Sequence, residues 1–222
     1  SDLAILMGNP EATEDQMRAA LETAVADFVF TLPDGLETIG ANAFKGCVML
    51  DRIEIPQSVT KMGIKVFSGC SNLEAITLPE GISTIPQYFV SYCEKLPEIK
   101  LPPKIRSIGP YAFDGCTALA NIEIPSGVRA IGECAFRGCA SFTSIRLPKS
   151  VQTIYKLAFS NCTSLTEVVM FKEVQKIGSL LFKGCPLDLV IYVEKGSAAE
   201  HYCEDQILDY RYWDGSEPEK TE

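Results

Sequence analysis

Apolar positions in this chain recur every 23 residues, and inside each period their spacing changes from that of a strand to that of a turn. In residues 50–70, Ile53 and Ile55 alternate with polar Arg52 and Glu54, the period of a strand with one buried face. Pro56 ends that strand, because proline has no N–H to give to a continuing ladder. Val59 and Met62 predict a second short extended stretch, and Gly63 predicts a turn. Val66-Phe67, with Cys70 three residues on, predicts one helical turn. A fixed period of this length is the mark of a solenoid, in which each copy buries its apolar face only against its neighbours.

The columns carry the rule and its exceptions. Proline stands at 33, 56, 79, 102, 125 and 148, and the second strand position reads Phe30, Ile53, Ile76, Ile99, Ile122, Ile145, Val168 and Ile191. The aromatic column reads Phe44, Phe67, Val90, Phe113, Phe136, Phe159 and Phe182. Phe89 precedes Val90, which predicts that the third copy shifts its helical turn by one residue. Just before the repeated cysteine stand Gly46, Gly69, Tyr92, Gly115, Gly138, Asn161 and Gly184. Glycine and asparagine suit a left-handed backbone. Tyr92, together with Pro86 where most copies have glycine, predicts local irregularity there.

The pattern of residues 119–139, Leu-Ala-Asn-Ile-Glu-Ile-Pro-Ser-Gly-Val-Arg-Ala-Ile-Gly-Glu-Cys-Ala-Phe-Arg-Gly-Cys, resembles the leucine-rich repeats of the BspA-like class, also called the Treponema pallidum type. The resemblance covers residues 33–193 in seven copies. It implies an α/β fold: a right-handed leucine-rich-repeat solenoid with a parallel β-sheet of about eight short strands and helical caps. The chain is accordingly divided into an N-terminal helical cap (1–32), seven repeats (33–193), and a C-terminal cap with an acidic tail (194–222). Thr13 with Gln16 fits a capping box, and Met17, Ala20, Leu21, Ala24, Val25 and Phe28 share one helical face. Residues 198–207 read as a short helix; Tyr202, Tyr210, Tyr212 and Trp213 are expected to cover the last repeat, and residues 216–222 to be disordered.

Charge and cysteine content narrow the function. The net charge of −9 is concentrated at the ends: residues 1–32 hold six acids and one base, residues 194–222 nine acids and three bases, and the repeats 14 acids and 16 bases. That balance gives no basic stripe for phosphates, so no nucleic-acid partner is expected. No apolar run reaches the length of a membrane-spanning helix, and Leu3-Ala-Ile-Leu-Met7 is too short and too acidic in its flank for a signal peptide. Nine cysteines without a C-x-x-C pair, beside the lone His201, do not assemble a metal site, and seven of them share one place in seven copies. They read as a ladder of buried free thiols. His201 and Cys203 lie two apart and would point in different directions on a helix, and no phosphate-cradling loop exists, so neither catalysis nor a cofactor is expected.

The remaining candidates lie on the surface. The outward strand positions carry Arg52, Glu54, Thr77, Glu98, Lys100, Asn121, Glu123 and Arg146, a row of mixed charge that can read a protein partner by electrostatic complementarity. The same row would also serve as a merely solvated face. A second column, Tyr88, Tyr111, Cys134, Leu157 and Leu180, is either a contact stripe or edge packing. The resemblance implies an exported or surface-displayed bacterial protein that binds proteins, with host extracellular-matrix proteins such as fibronectin and fibrinogen as the associated partner class. The alternatives are a targeting arm of a larger enzyme and an intracellular interaction scaffold.

Overall fold

The computed structural model describes residues 31–215. The elements in chain order are β1 (Thr38–Ile39), β2 (Arg52–Glu54), β3 (Lys61–Met62), β4 (Ala75–Thr77), β5 (Thr84–Ile85), β6 (Ser107–Ile108), β7 (Ala130–Ile131) and β8 (Ser144–Arg146), followed by β9 (Thr153–Ile154), β10 (Glu167–Met170), β11 (Lys176–Ile177), β12 (Val190–Val193), helix α1 (Ala198–Gln206) and β13 (Tyr210–Tyr212). Every pairing is parallel, and between repeats the register advances by 23 residues, as in Ile53↔Ile76 and Val168↔Ile191. The chain is thus a parallel-strand solenoid of about eight turns.

The strands do not form the single eight-stranded sheet expected. The first strand of each copy builds a two-stranded piece, β2-β4, and a four-stranded piece, β13-β12-β10-β8, with only the bridge Glu98↔Asn121 between them. Pro97 supplies one physical reason. Glu74 at the same place of the preceding copy donates its N–H to Asp51 O at 2.7 Å, and proline has no N–H to make the equivalent bond. The second extended stretch gives the longer ladder, β11-β9-β7-β6-β5, with β1-β3 beside it.

The segment expected to form one helical turn is instead the most regular ladder in the molecule. In each of the first six copies three N–H groups donate to the next copy: Asn42, Phe44 and Gly46 to Ile64, Val66 and Ser68 O, and so on to Leu157, Phe159 and Asn161, which reach Ser179, Leu181 and Lys183 O. All these bonds are 2.7–3.1 Å long. The N–H groups between them turn back, as Lys45 does to Asn42 O. Two left-handed residues per copy produce this alternation. One is the Gly46 column; the other is Asn42, Lys65, Tyr88, Tyr111, Cys134, Leu157 and Leu180, with φ of 52–60°. The third copy keeps this register: Tyr88, Val90 and Tyr92 bond Pro110, Ala112 and Asp114 O, and Tyr92 adopts φ 60° where others have glycine. The expected one-residue shift is therefore absent. Phe89 instead fills the column that elsewhere holds alanine, valine or leucine, beside the smaller Val90, and its ring meets Phe67 edge-on at 5.6 Å. Gly63 is required by space and not by its own dihedral, because a Cβ there would collide with the Ala41 backbone.

The core is one continuous cluster. Phe113, Phe136, Phe159 and Phe182 stack at successive ring distances of 5.1, 5.6 and 5.9 Å. Eight of the nine cysteines are buried and Cys185 is half-buried, all as free thiols. Their place is more specific than that of small hydrophobes. The Sγ–H of Cys70, Cys93, Cys116, Cys139, Cys162 and Cys185 donates to the main-chain carbonyl 26 residues earlier, in the aromatic column of the previous copy, at 3.0–3.3 Å. A cysteine thus adds a weak donor where alanine or valine would offer none.

Of the two helical caps expected, the described residues hold one helix, α1. Ser197 caps it by accepting the N–H of Glu200 at 3.1 Å. The Tyr202 ring meets Phe182 at 6.4 Å, and its hydroxyl accepts the N–H of Leu181. The N-terminal cap helix and the acidic tail 216–222 lie outside the described residues.

Phe113→Ala, in the middle of the stack, is expected to cost about 3–5 kcal/mol in chemical denaturation; a loss below about 1 kcal/mol would contradict the packing. Burial pushes Cys116 and Cys203 up to about 12 and Cys185 up to about 11. The folded state therefore holds protons that the unfolded chain releases above about pH 8.5. Stability should fall by several kcal/mol between about pH 8.5 and 10.5, with each buried thiol contributing up to about 1.4 kcal/mol per pH unit. Denaturant midpoints that stay level to pH 11 would contradict this.

Candidate functional site

The outward positions of the strand face follow from the alternation itself. In β2 and β4, Ile53 and Ile76 point inward, while Arg52, Glu54 and Thr77 stand exposed with Ala75, paired Arg52↔Ala75 and Glu54↔Thr77. Glu98, Lys100, Asn121 and Glu123 are likewise exposed, and the bridge places Glu98 beside Asn121. The result is a row of alternating charge along the solenoid. At its first turns an open groove of about 790 Å3 is lined by Thr31, Pro33, Asp34, Arg52, Glu54 and Thr77. Arg52 approaches Asp51 at only 3.9 Å, a loose surface contact.

Arg146 belongs to a different arrangement. Its guanidinium lies 4.9 Å from the Trp213 ring centre and 5.7 Å from that of Phe171, and Lys149 Nζ lies 5.3 Å from Phe171. Trp213 meets Phe171 and Tyr192 edge-on at 6.1 and 6.0 Å. Trp213 covers the last repeat at Tyr192 and Val193, as expected, and also reaches Phe171 of the copy before. β13 joins the sheet beside β12, and the indole turns back onto the strand face. This return is fastened by Glu200, whose carboxylate accepts the Tyr212 hydroxyl and the Gly196 N–H. The Tyr212 hydroxyl foremost, then the Gly196 N–H, hold the Glu200 carboxyl below its ordinary value.

Phe171 is absent from the sequence-derived candidates, although the sequence carries a signal for it. It occupies the place held by proline in the six earlier copies, and the run Val168-Val-Met-Phe171 loses the alternation of its neighbours. All four residues are buried, because Trp213 and β13 give the normally solvated side a cover.

The second column sits on the turn ladder. Tyr88 and Tyr111 stack at 4.7 Å, with Lys65 Nζ 4.9 Å from the Tyr88 ring and the Arg137 guanidinium 5.4 Å from that of Tyr111. The Tyr111 hydroxyl donates to Glu133 at 3.1 Å, and Arg137 binds buried Asp114 through two bonds of 2.6 and 2.7 Å. Burial foremost pushes the Tyr111 hydroxyl up to about 12. Cys134 is buried, Leu157 half-buried and Leu180 exposed, so the column changes character along its length.

Among the described residues no cluster of histidine, cysteine and carboxylates could hold a metal ion, and no helix is long and apolar enough to cross a membrane. His201 Nδ1 lies 2.9 Å from Ser197 O on α1, an ordinary local contact.

Comparison with known proteins fits this geometry. The sequence matches the family described as BspA type leucine rich repeat region in six copies, over residues 28–113 and 83–203. No curated protein matches it significantly. Among solved structures, a Treponema pallidum leucine-rich repeat protein is 28% identical, with a TM-score of 0.66 over 83% of this chain and 84% of that one. A leucine-rich repeat protein from Bacteroides ovatus is 29% identical, with a TM-score of 0.63 over 73% of this chain. The match spans about half of that protein, 48% of its length.

Proposed function

Because the chain belongs to the BspA-type leucine-rich repeat family, we propose that it is a protein-binding module that reads its partner with the exposed row of the strand face, at the bacterial cell surface or in the extracellular medium. The observation that carries this reading is the row itself. Arg52, Glu54, Thr77, Glu98, Lys100, Asn121 and Glu123 are all exposed at equivalent places in four successive copies. Stacked repeats create extended surfaces of this kind, and alternating charge on a rigid support selects partners by complementarity. The Tyr88–Tyr111 stack is a second, smaller surface of the same module. Its rings are held between Lys65 and Arg137, which suits it to supporting the edge as well as to contact.

The finer reading takes host extracellular-matrix proteins as partners. Free cysteines do not argue against export. Only the thiolate reacts readily, and burial raises these thiols far above physiological pH, so they are protected in an oxidising compartment as well as in a reducing one. A scaffold inside the cell and a targeting arm of a larger enzyme are the other settings in which the same face would work.

The test is binding of the chain to immobilised fibronectin, fibrinogen and a panel of other purified matrix proteins. Lys100→Glu with Glu123→Lys keeps the net charge and reverses the local pattern. It is expected to weaken capture about fivefold or more, mainly through the association rate. Capture unchanged by the double swap would overturn the strand-face reading, and no capture by any matrix protein would overturn the host-matrix assignment.

A further inference from the structure

The last third of the strand face differs from the rest in both charge and apolar content. Across β8, β10, β12 and β13 the register aligns Arg146, Val169, Tyr192 and Arg211, so two arginines bracket two uncharged residues. Val169 is covered, but Tyr192 and Trp213 remain partly exposed beside it. A second row, Lys149, Lys172 and Lys195, occupies one place in three successive copies just beyond the strands, and all three side chains are exposed. Strand spacing sets such residues roughly 4.8 Å apart. Lys149 touches the Phe171 ring, yet among the described residues neither these lysines nor Arg211 has a carboxylate at ion-pair distance. Glu194, beside Lys195 in sequence, accepts the Lys172 main-chain N–H at 2.7 Å through Oε2. Like charges in register repel one another; Lys195 also feels the attraction of the nearby Glu200 carboxylate.

We infer that this end of the strand face is the docking site for an acidic segment of a partner protein, an extended stretch in which carboxylates alternate with apolar side chains. The inference rests on the protein-binding reading above and adds the chemistry of the partner. Carboxylates match the lysine row and the planar fork of Arg211, which takes a carboxylate through two parallel bonds. The apolar side chains match Tyr192 and Trp213, residue types that anchor interfaces through large rigid area. A uniformly charged polysaccharide would meet the cations but leave this apolar ground unused. The strand face of the earlier turns lacks the combination, because its row alternates in sign and carries no aromatic ring.

Fluorescence anisotropy with the full chain tests this, using a labelled 12-residue peptide of alternating Glu and Leu, its Gln-for-Glu counterpart, and a heparin octasaccharide. The Glu peptide is expected to bind, and to lose about tenfold in affinity between roughly 50 and 300 mM salt. Lys172→Glu with Lys195→Glu should weaken it about tenfold, while Lys61→Glu with Lys183→Glu, elsewhere on the solenoid, should not. Matching thermal melts of the two variants exclude misfolding as the cause. Equal binding of the Gln peptide, indifference to Lys172→Glu/Lys195→Glu, or binding of heparin without the peptide would each overturn the inference. Peptide binding that emerges only after removal of residues 216–222 would overturn it too, by assigning the surface to the chain's own acidic end. Matrix-protein capture that survives Lys172→Glu/Lys195→Glu but fails with Lys100→Glu/Glu123→Lys would overturn this site and leave the strand-face reading standing.

Discussion

Everything in this solenoid depends on one ladder of backbone hydrogen bonds at the turn edge. Three N–H groups per copy reach the next copy through six successive interfaces without a break. To aim alternate peptide groups along the axis, each copy holds two residues in the left-handed region, one in the Gly46 column and one in the Asn42 column. Outside glycine and asparagine that conformation costs on the order of 1 kcal/mol per residue. The chain accepts this at Lys65, Tyr88, Tyr92, Tyr111, Cys134, Leu157 and Leu180. A cost repeated in six of the seven copies is sustained only because the ladder, and the packing it enforces, returns more.

The packing answers the same constraint. Fixed spacing between copies sets the phenylalanine rings at stacking distance, with the cysteine column buried beside them. The thiol then donates to a carbonyl of the previous copy, so the column that looks inert in sequence also ties neighbours together. Where a copy deviates, it conserves volume. Phe89 and Val90 exchange sizes within one interior, and the backbone does not move.

The repeat, the inward columns and the buried thiols are all legible in the 23-residue periodicity of the sequence. Three features escape it for identifiable reasons. Val66-Phe67 and Cys70 have the spacing of a helical turn, but the bonds of that segment run between copies, and spacing within one copy carries no information about them. The break in the strand-face sheet depends on which N–H groups find partners, and Pro97 gives only half of that reason, since the gap between Asn121 and Ser144 has no proline to account for it. The aromatic cluster at Phe171 forms only because β13 returns alongside β12 and brings Trp213, about 40 positions on, against it, although the lost alternation at 168–171 marks the place. The outward row is legible as a set of positions, and its division into an alternating part and a basic, aromatic part needs the register.

Function rests on this rigidity, because a charged row selects a partner only if its spacing does not vary. The turn edge, and not the strand face, therefore holds the copies together. Native-state hydrogen exchange resolved to single amides measures this directly. The N–H groups of Phe67, Val90, Phe113 and Phe136 should be the most protected in the protein, with protection continuing unbroken through the third and fourth copies, where the strand-face sheet is interrupted. Amides at the turn edge that exchange as fast as those of residues 99–101, with protection confined to β8, β10 and β12, would contradict it.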